Sequence, residues 1–439
     1  MTDGSAAPGD ADLAARLSDV TFSYDRDADL STDDGGAIDP DSRGGLVLRD
    51  LDLEVPRGSF TVVMGASGGG KSTLVRTFNA IIPSFIRGSF SGQVDVLGRD
   101  ATTARVAEMA EAVGMVLQDY EAQLFGTSLD AEIGFGLENL AVPPAEIGPR
   151  VDSALRTVGL ADLDRRREPA SLSGGQKQRL VLGGVLAMRP EFLVLDEPTS
   201  DLDPAGSREI IDVVARLADD GAKPHGDWPG PETIVMVTHT VEEALLADRA
   251  VLLRDGDVYR VGGVHEVFTD VEALGACRVA VPPLVEAFDR LGVARDRLPL
   301  VPDEAVELVD ALGLDWTPPA RRGEELPGVP AGTGASPGGP LFELDGVVHG
   351  YATDRGEIRA VDDVSLTIRE GEVLAIVGQN GSGKTTLAKH LNGLLAPDAG
   401  SVTFRGRSVP TIPMEELGRE VGFLFQNPDH QLFASTVRE

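Results

Sequence analysis

Cysteine is almost absent from these 439 residues: Cys277 stands alone, so no internal disulfide can form and packing has to hold the fold. A single thiol fits a reducing compartment. Lysine is nearly as scarce, supplying five of 39 basic residues (Lys71, Lys177, Lys223, Lys384 and Lys389). Nowhere do 18 apolar residues run together, and the amino terminus lacks a basic stretch followed by an apolar one. The sequence therefore shows neither a spanning helix nor an export leader. Positive charge is outweighed throughout, and the formal net charge of -32 repels nucleic acid, which argues against it as a partner. The acidic residues lie in both halves rather than in one tail, the pattern expected of a protein from a salt-loving source, where salt screens self-repulsion. On that reading any activity rises between low and molar KCl, and a rate indifferent to salt would contradict it.

What is present is enough apolar side chain, 42%, to bury a core, in a chain too long for one ordinary core, so two domains are expected. Residues 1–13 are small, polar and acidic and read as a disordered tail. Alternation from Leu17 to Tyr24 reads as a half-buried strand closed by an aromatic. Residues 25–45, rich in Asp and Gly, read as an acidic surface insertion. The apolar run Ser59–Met64 then enters Gly65-Ala66-Ser67-Gly68-Gly69-Gly70-Lys71-Ser72-Thr73, which satisfies G-x-x-x-x-G-K-[ST]. Glycines let the backbone curl so that its N–H groups point at phosphate oxygens. Lys71 can reach the outer phosphates, and the Ser72 hydroxyl can serve Mg2+. A helix is expected over Thr73–Ala80, its positive end facing the same anion.

Three more apolar runs follow, each ending in chemistry. Val113–Leu117 ends at Gln118, Glu191–Asp196 is followed by Glu197, and Thr233–Val237 delivers Thr238 and His239. Between the first two lies Leu172-Ser173-Gly174-Gly175-Gln176, a helix start that offers Ser173 and bare backbone N–H groups to a phosphate. Phosphate loop, glutamine, Leu-Ser-Gly-Gly-Gln signature, Asp-Glu pair and histidine, in this order, resemble the ATP-binding cassette (ABC) family. The resemblance implies an α/β P-loop NTPase with a mixed, largely parallel sheet core and a helical signature subdomain, over residues 14–275.

In that family pattern Tyr24 stacks on adenine, Lys71 holds the γ-phosphate, and Ser72, Gln118 and Asp196 serve Mg2+. Glu197 is the general base for the attacking water and His239 the γ-phosphate switch. Asp201 and Asp203 occupy the D-loop, and Leu172–Gln176 covers the ATP of an opposing cassette. The phrases Gln123-Leu124-Phe125 and Ala131–Asn139 are similar to the ATPases of energy-coupling factor (ECF) importers of vitamins and transition-metal ions. Read without the resemblance, Ala131–Asn139 is an amphipathic helix packed within the domain.

Helical fragments continue from Ala276, and Pro318–Pro340, rich in Pro, Gly and Ala, reads as a flexible linker, giving an extension and linker over 276–340. The pattern then restarts. Tyr351 repeats the strand-end aromatic, and Gly378-Gln379-Asn380-Gly381-Ser382-Gly383-Lys384-Thr385-Thr386 is a second phosphate loop, with Thr385 placed for Mg2+. Gly422–Gln426 repeats the strand and its glutamine, and Gln431-Leu432-Phe433 the phrase after it. Residues 341–439 thus read as the first part of a duplicate that stops after the Gln426 loop, without its own signature, Asp-Glu pair or histidine. The reading is a piece of a longer twin-cassette protein.

The resemblance further implies cassettes paired head to tail, with Lys384 and Thr385 facing Ser173–Gln176, and ATP with Mg2+ as substrate and cofactor. Hydrolysis by residues 1–439 would then be slow unless first domains pair between molecules. It also implies a place at the cytoplasmic face of a membrane, bound to integral transporter subunits, a scaffold plus a substrate-binding protein. The alternatives are a generic ABC transporter ATPase with another substrate, or a soluble twin-cassette protein, against which the missing basic arm counts.

Overall fold

The computed structural model describes residues 12–25, 45–219, 228–313, 338–353, 356–379 and 381–425. Most of the acidic insertion, most of the linker, Asn380, Gln426 and the Gln431–Phe433 phrase lie outside the described residues. Two compact units divide the chain, one ending at Trp316 and the other beginning at Thr317.

The described residues of the first unit form the strands β1 (Leu13–Ser23), β2 (Leu48–Pro56), β3 (Phe60–Gly65), β4 (Ser89–Val96), β5 (Arg99–Asp100), β6 (Val113–Val116), β7 (Phe192–Asp196), β8 (Thr233–Val237), β9 (Arg249–Arg254) and β10 (Asp257–Gly263). They form two sheets, an antiparallel one ordered β2-β1-β4-β5 and a six-stranded one ordered β10-β9-β3-β8-β7-β6. Within the larger sheet β6, β7, β8, β3 and β9 run parallel and β10 closes the edge antiparallel. Every residue of β3, β6, β7 and β8 is buried, which is why their sequences read as unbroken apolar runs rather than alternations. β1 starts at Leu13, whose side chain is buried.

The sheets face each other across one core that includes Phe22, Phe78 and Phe192. The opposite face of the large sheet packs on the helices Leu129–Asn139, Pro144–Thr157 and Gly174–Ala187. The helix expected over Thr73–Ala80 is shorter and earlier, Lys71–Val75, and the chain beyond it turns, with Ile82 in extended backbone at φ -109, ψ 128. Pro83 has no N–H to continue the ladder, and Ala80 already sits at φ 60, outside helical space. Helices Pro283–Arg290 and Pro302–Leu312 gather a small cluster of their own around Val285 and Phe288. They are tied to the rest of the unit by Arg295, 2.9 Å from Asp270, and by His265, whose Nε2 donates to the Leu298 carbonyl at 3.1 Å. Cys277 is buried, and its desolvated thiol is pushed up to about 11. That leaves it an inert core residue.

In the second unit β11 (Pro340–Thr353), β12 (Gly356–Arg369), β13 (Ala399–Phe404) and β14 (Arg407–Ser408) form one antiparallel sheet ordered β12-β11-β13-β14. Phe342, Val347, Leu387 and Phe404 are in its core. The duplicate of β3 does not form: residues 372–379 carry no strand, and Val373 and Val377 are 100% and 88% exposed. Nor does the described part of the β6 duplicate, residues 421–425, where Leu424 is exposed. In the first unit β3 is hydrogen-bonded on both sides, by β8 and β9, and β6 by β7. A parallel strand is a property of neighbours, and no counterpart of β7 or β8 stands beside these two stretches among the described residues.

Candidate nucleotide site

Four neighbouring parallel strands, β3, β8, β7 and β6, end side by side, so the residues that follow them converge at the carboxyl edge of the sheet, where open α/β sheets take their ligands. β3 leads into the phosphate loop. Gly65 adopts φ 151 with the Leu253 carbonyl 2.3 Å from where a Cβ would be, and Gly70 adopts φ 93 against the Val47 carbonyl at 2.8 Å. Only glycine fits either position, and the curl they permit sets the loop. Lys71 is buried at the first turn of the following helix and its Nζ donates to the carbonyls of Gly65 and Ala66, at 3.0 and 2.9 Å. Desolvation lowers its pKa, opposed by the charges of Glu197 and Asp196. An anion in the loop would relieve that desolvation.

Beside it, the Ser72 hydroxyl donates to Asp196 Oδ1 at 2.9 Å. Asp196 is fully buried, and its other oxygen, Oδ2, has no hydrogen-bond partner among the described residues, with Arg76 Nη2 at 3.9 Å. Burial pushes this carboxyl above its ordinary range, against the Ser72 hydrogen bond and the Arg76 charge. A hydroxyl beside a carboxylate with an unfilled acceptor is a hard oxygen set that fits Mg2+, an ion that draws its remaining ligands from water and phosphate.

Glu197 follows β7 at φ 49, a left-handed conformation rare for this residue type. The Val237 carbonyl of β8 holds its N–H at 3.1 Å. From there its carboxylate accepts hydrogen bonds from Gln118 Nε2 at 3.2 Å and from His239 Nε2 at 2.7 Å. Gln118, Glu197 and His239, separated by up to 121 positions (239 - 118), thus share one carboxylate. A left-handed backbone thus presents one carboxylate to an amide on one side and an imidazole on the other.

Other predicted residues have structural duties as well. Tyr24 OH lies 3.0 Å from Thr73 Oγ1, and its half-exposed ring stands edge-on to Phe22, 5.0 Å between centroids. Ser173 caps the helix Gly174–Ala187: its Oγ accepts from Gln176 N, and Gln176 Oε1 accepts from Ser173 N. Such a capping box is worth about 1 kcal/mol and leaves the hydroxyl proton free for a phosphate. Asp203 caps the helix Pro204–Ala218 through Gly206 N at 2.8 Å. Gln123 runs along the outer edge of β6, donating to the Met115 carbonyl at 3.2 Å and accepting from Leu117 N at 2.8 Å. It fixes the start of the Gln118 loop and caps backbone groups on the side of β6 that has no neighbouring strand among the described residues.

The second unit repeats the phosphate-loop geometry by itself. Gly378, Gly381 and Gly383 take φ 158, 82 and 88, matching Gly65, Gly68 and Gly70 at 151, 76 and 93. Lys384 Nζ donates to the carbonyls of Gly378 and Gln379, at 2.7 and 2.6 Å, and Tyr351 OH lies 3.4 Å from Thr386 Oγ1.

Three residues that the motifs do not mark belong to the same region. Arg76 faces Asp196. Gln178, buried on the signature helix, donates to the Pro198 carbonyl. Glu243 joins the Thr199 and Thr238 hydroxyls. Position after a motif could have flagged Gln178; Arg76 and Glu243 needed the fold.

A glycine-rich phosphate loop at the carboxyl edge of a largely parallel sheet, between its strand and the helix that carries Lys71, defines a P-loop protein. The ABC transporter family model matches residues 48–200 and 361–439, more than half of the chain, so the chain belongs to that family and is an ATP-binding subunit of an ABC transporter. A protein of Caldanaerobacter subterraneus subsp. tengcongensis named as an ABC transporter ATP-binding protein is 38% identical over 429 residues, 96% of this chain and 69% of its own length. One of Methanosarcina mazei, similarly named, is 35% identical over 439 residues, 98% of this chain and 69% of its own. Among solved structures, cbiO1 of Clostridium perfringens, part of the ABC transporter complex cbiONQ, is 29% identical with a TM-score of 0.49. The match covers 63% of this chain and 99% of that one.

Proposed function

We propose that the chain hydrolyses ATP at Glu197 and uses the cycle to drive an ECF-type importer of a vitamin or a transition-metal ion. In this reading Lys71 leaves the Gly65 and Ala66 carbonyls for the β- and γ-phosphates, and Glu197 takes the proton of the attacking water. Gln118 and His239 orient that carboxylate and the γ-phosphate. Ser72 and Asp196 would hold Mg2+, which neutralises charge developing on the phosphates. The Leu172–Gln176 lid would serve the phosphate loop of an opposing cassette.

The observation that carries the coupling is the outer wall of the Gln118 loop. Phe125 and Phe135 are 70% and 51% exposed with ring centroids 6.1 Å apart, an aromatic pair out of place on a charged surface. Phe125 lies on the segment that follows Gln118, whose amide touches the Glu197 carboxylate, and Phe135 on the helix Leu129–Asn139 after it. A partner helix seated on that pair could move the site directly. The sequence phrases around it, Gln123–Phe125 and Ala131–Asn139, are those that resemble ECF ATPases.

Purification of the tagged chain from its native membranes tests this reading. A scaffold membrane protein and a small substrate-binding membrane protein should come with it, and Phe125→Ala with Phe135→Ala should lose both. Recovery of a membrane pair with no separate small binding protein would favour a generic ABC transporter, and recovery of ribosomes or DNA the soluble alternative. Among the described residues no helix is long and apolar enough to cross a membrane.

A further inference from the structure

The base and the switch ride on separate loops. Glu197 and Thr199 follow β7, and Thr238 and His239 follow β8, the neighbouring parallel strand. The ladder between those strands ends at Asp196 opposite Val237. Past it, the Glu197 N–H to the Val237 carbonyl is the last rung.

A buried carboxylate continues the connection. Glu243, on the short helix Val241–Ala244 and 7% exposed, accepts from the Thr199 hydroxyl at Oε1, 2.7 Å, and from the Thr238 hydroxyl at Oε2, 2.5 Å. Thr238 Oγ1 in turn accepts from Thr240 N at 3.0 Å. Each oxygen of one carboxylate therefore holds one loop. On its far side the first loop is gripped by Gln178, from the signature helix, at the Pro198 carbonyl. An acid is buried here without a basic partner in its hydrogen bonds, a costly choice where an apolar side chain would pack.

We propose that Glu243 is a positioning residue for hydrolysis: its carboxylate clamps the loop of Glu197 to the loop of His239 and so maintains their 2.7 Å contact. The inference rests on the reading of Glu197 as the base. The clamp needs two acceptors at full glutamate length. Glutamine offers one acceptor and one donor, so one threonine proton loses its partner. Aspartate is one methylene short and reaches one loop only. Reacting groups that shift by about 1 Å can lose about 10²-fold in rate.

Steady-state hydrolysis, equilibrium ATP binding and thermal melting of the full chain test the proposal on Glu243→Asp, Glu243→Gln, Thr199→Val and Thr199→Ser. Thr199 is only partly buried, so valine is tolerated there even if the Glu243 variants fold poorly. The expected result is a kcat lowered about 10–100-fold in Glu243→Asp, Glu243→Gln and Thr199→Val. ATP affinity should stay within about threefold of wild type and Thr199→Ser should restore kcat, because serine keeps the hydroxyl. Added to Glu197→Gln, Glu243→Asp should cost nothing further, as expected for a residue acting through Glu197. A kcat within twofold of wild type in Glu243→Asp and Thr199→Val would overturn the clamp, as would losses of kcat, affinity and melting temperature in step. Wild-type turnover by Glu197→Gln would overturn the reading of the base, and the clamp with it.

Discussion

Glu197→Gln should bind ATP as wild type does and hydrolyse it about 10²–10⁴-fold more slowly, the usual scale for losing a general base. The amide is the same size and keeps an oxygen for the hydrogen bond from Gln118. It cannot take a proton, and its NH2 meets His239 with a donor where a carboxylate oxygen accepted, at 2.7 Å, the imidazole proton. Binding survives because the phosphate loop and Lys71 lie on a different strand end. Phosphate release followed at a chain concentration that resolves wild-type turnover, beside nucleotide binding at equilibrium, checks both halves. Undiminished hydrolysis would remove Glu197 from the role.

Asp196→Asn should move stability and activity in opposite directions. Burial holds the Asp196 carboxyl above its ordinary value. For an acid whose folded pKa is raised, the favourable contribution is complete below the unfolded value and is lost as pH rises through the folded one. At neutral pH, without metal, the ionised side chain is therefore a net cost to the fold. Asparagine removes that charge and still accepts from Ser72, so the nucleotide-free variant should melt above wild type near pH 7, the difference closing as pH falls toward 4. Hydrolysis should fall by about 10²–10³-fold, since charge stabilisation by a bound metal is worth several kcal/mol at the transition state. Melting curves at a series of pH values in EDTA, beside turnover in Mg2+, measure the two effects. A variant that melts lower at neutral pH would show that the charge is satisfied in a way this geometry does not contain.

Much of the first unit was legible in sequence because its strands are buried on both faces. An apolar run such as Phe192–Asp196 announces itself, and the residue after it falls at the sheet edge whatever the loops do. The phosphate loop was legible for a related reason: Gly65 and Gly70 have no substitute where a carbonyl lies that close. Glu243 was not, because what gives it meaning is a pair of hydroxyls 44 positions before it and 5 positions before it, brought together only when β7 and β8 pair. The helix after Lys71 was overextended because the turn at Ala80 and Pro83 overrides an otherwise helical stretch. In the second unit the apolar run Val373–Val377 has the same character as β3 yet stays unpaired. Apolar pattern states what a segment can bury, and the presence of a neighbour decides whether it does.

The claim on which everything else depends is that the residues at the end of β3, β6, β7 and β8 form one ATP site. A crystal structure of the Glu197→Gln chain grown with ATP and Mg2+ tests it most directly. The γ-phosphate is expected within hydrogen-bond reach of Lys71 Nζ, which has left the Gly65 and Ala66 carbonyls, with a cation on Ser72 Oγ on the side of Asp196. Nucleotide bound elsewhere on the first unit, with Lys71 still donating to those two carbonyls, would contradict it.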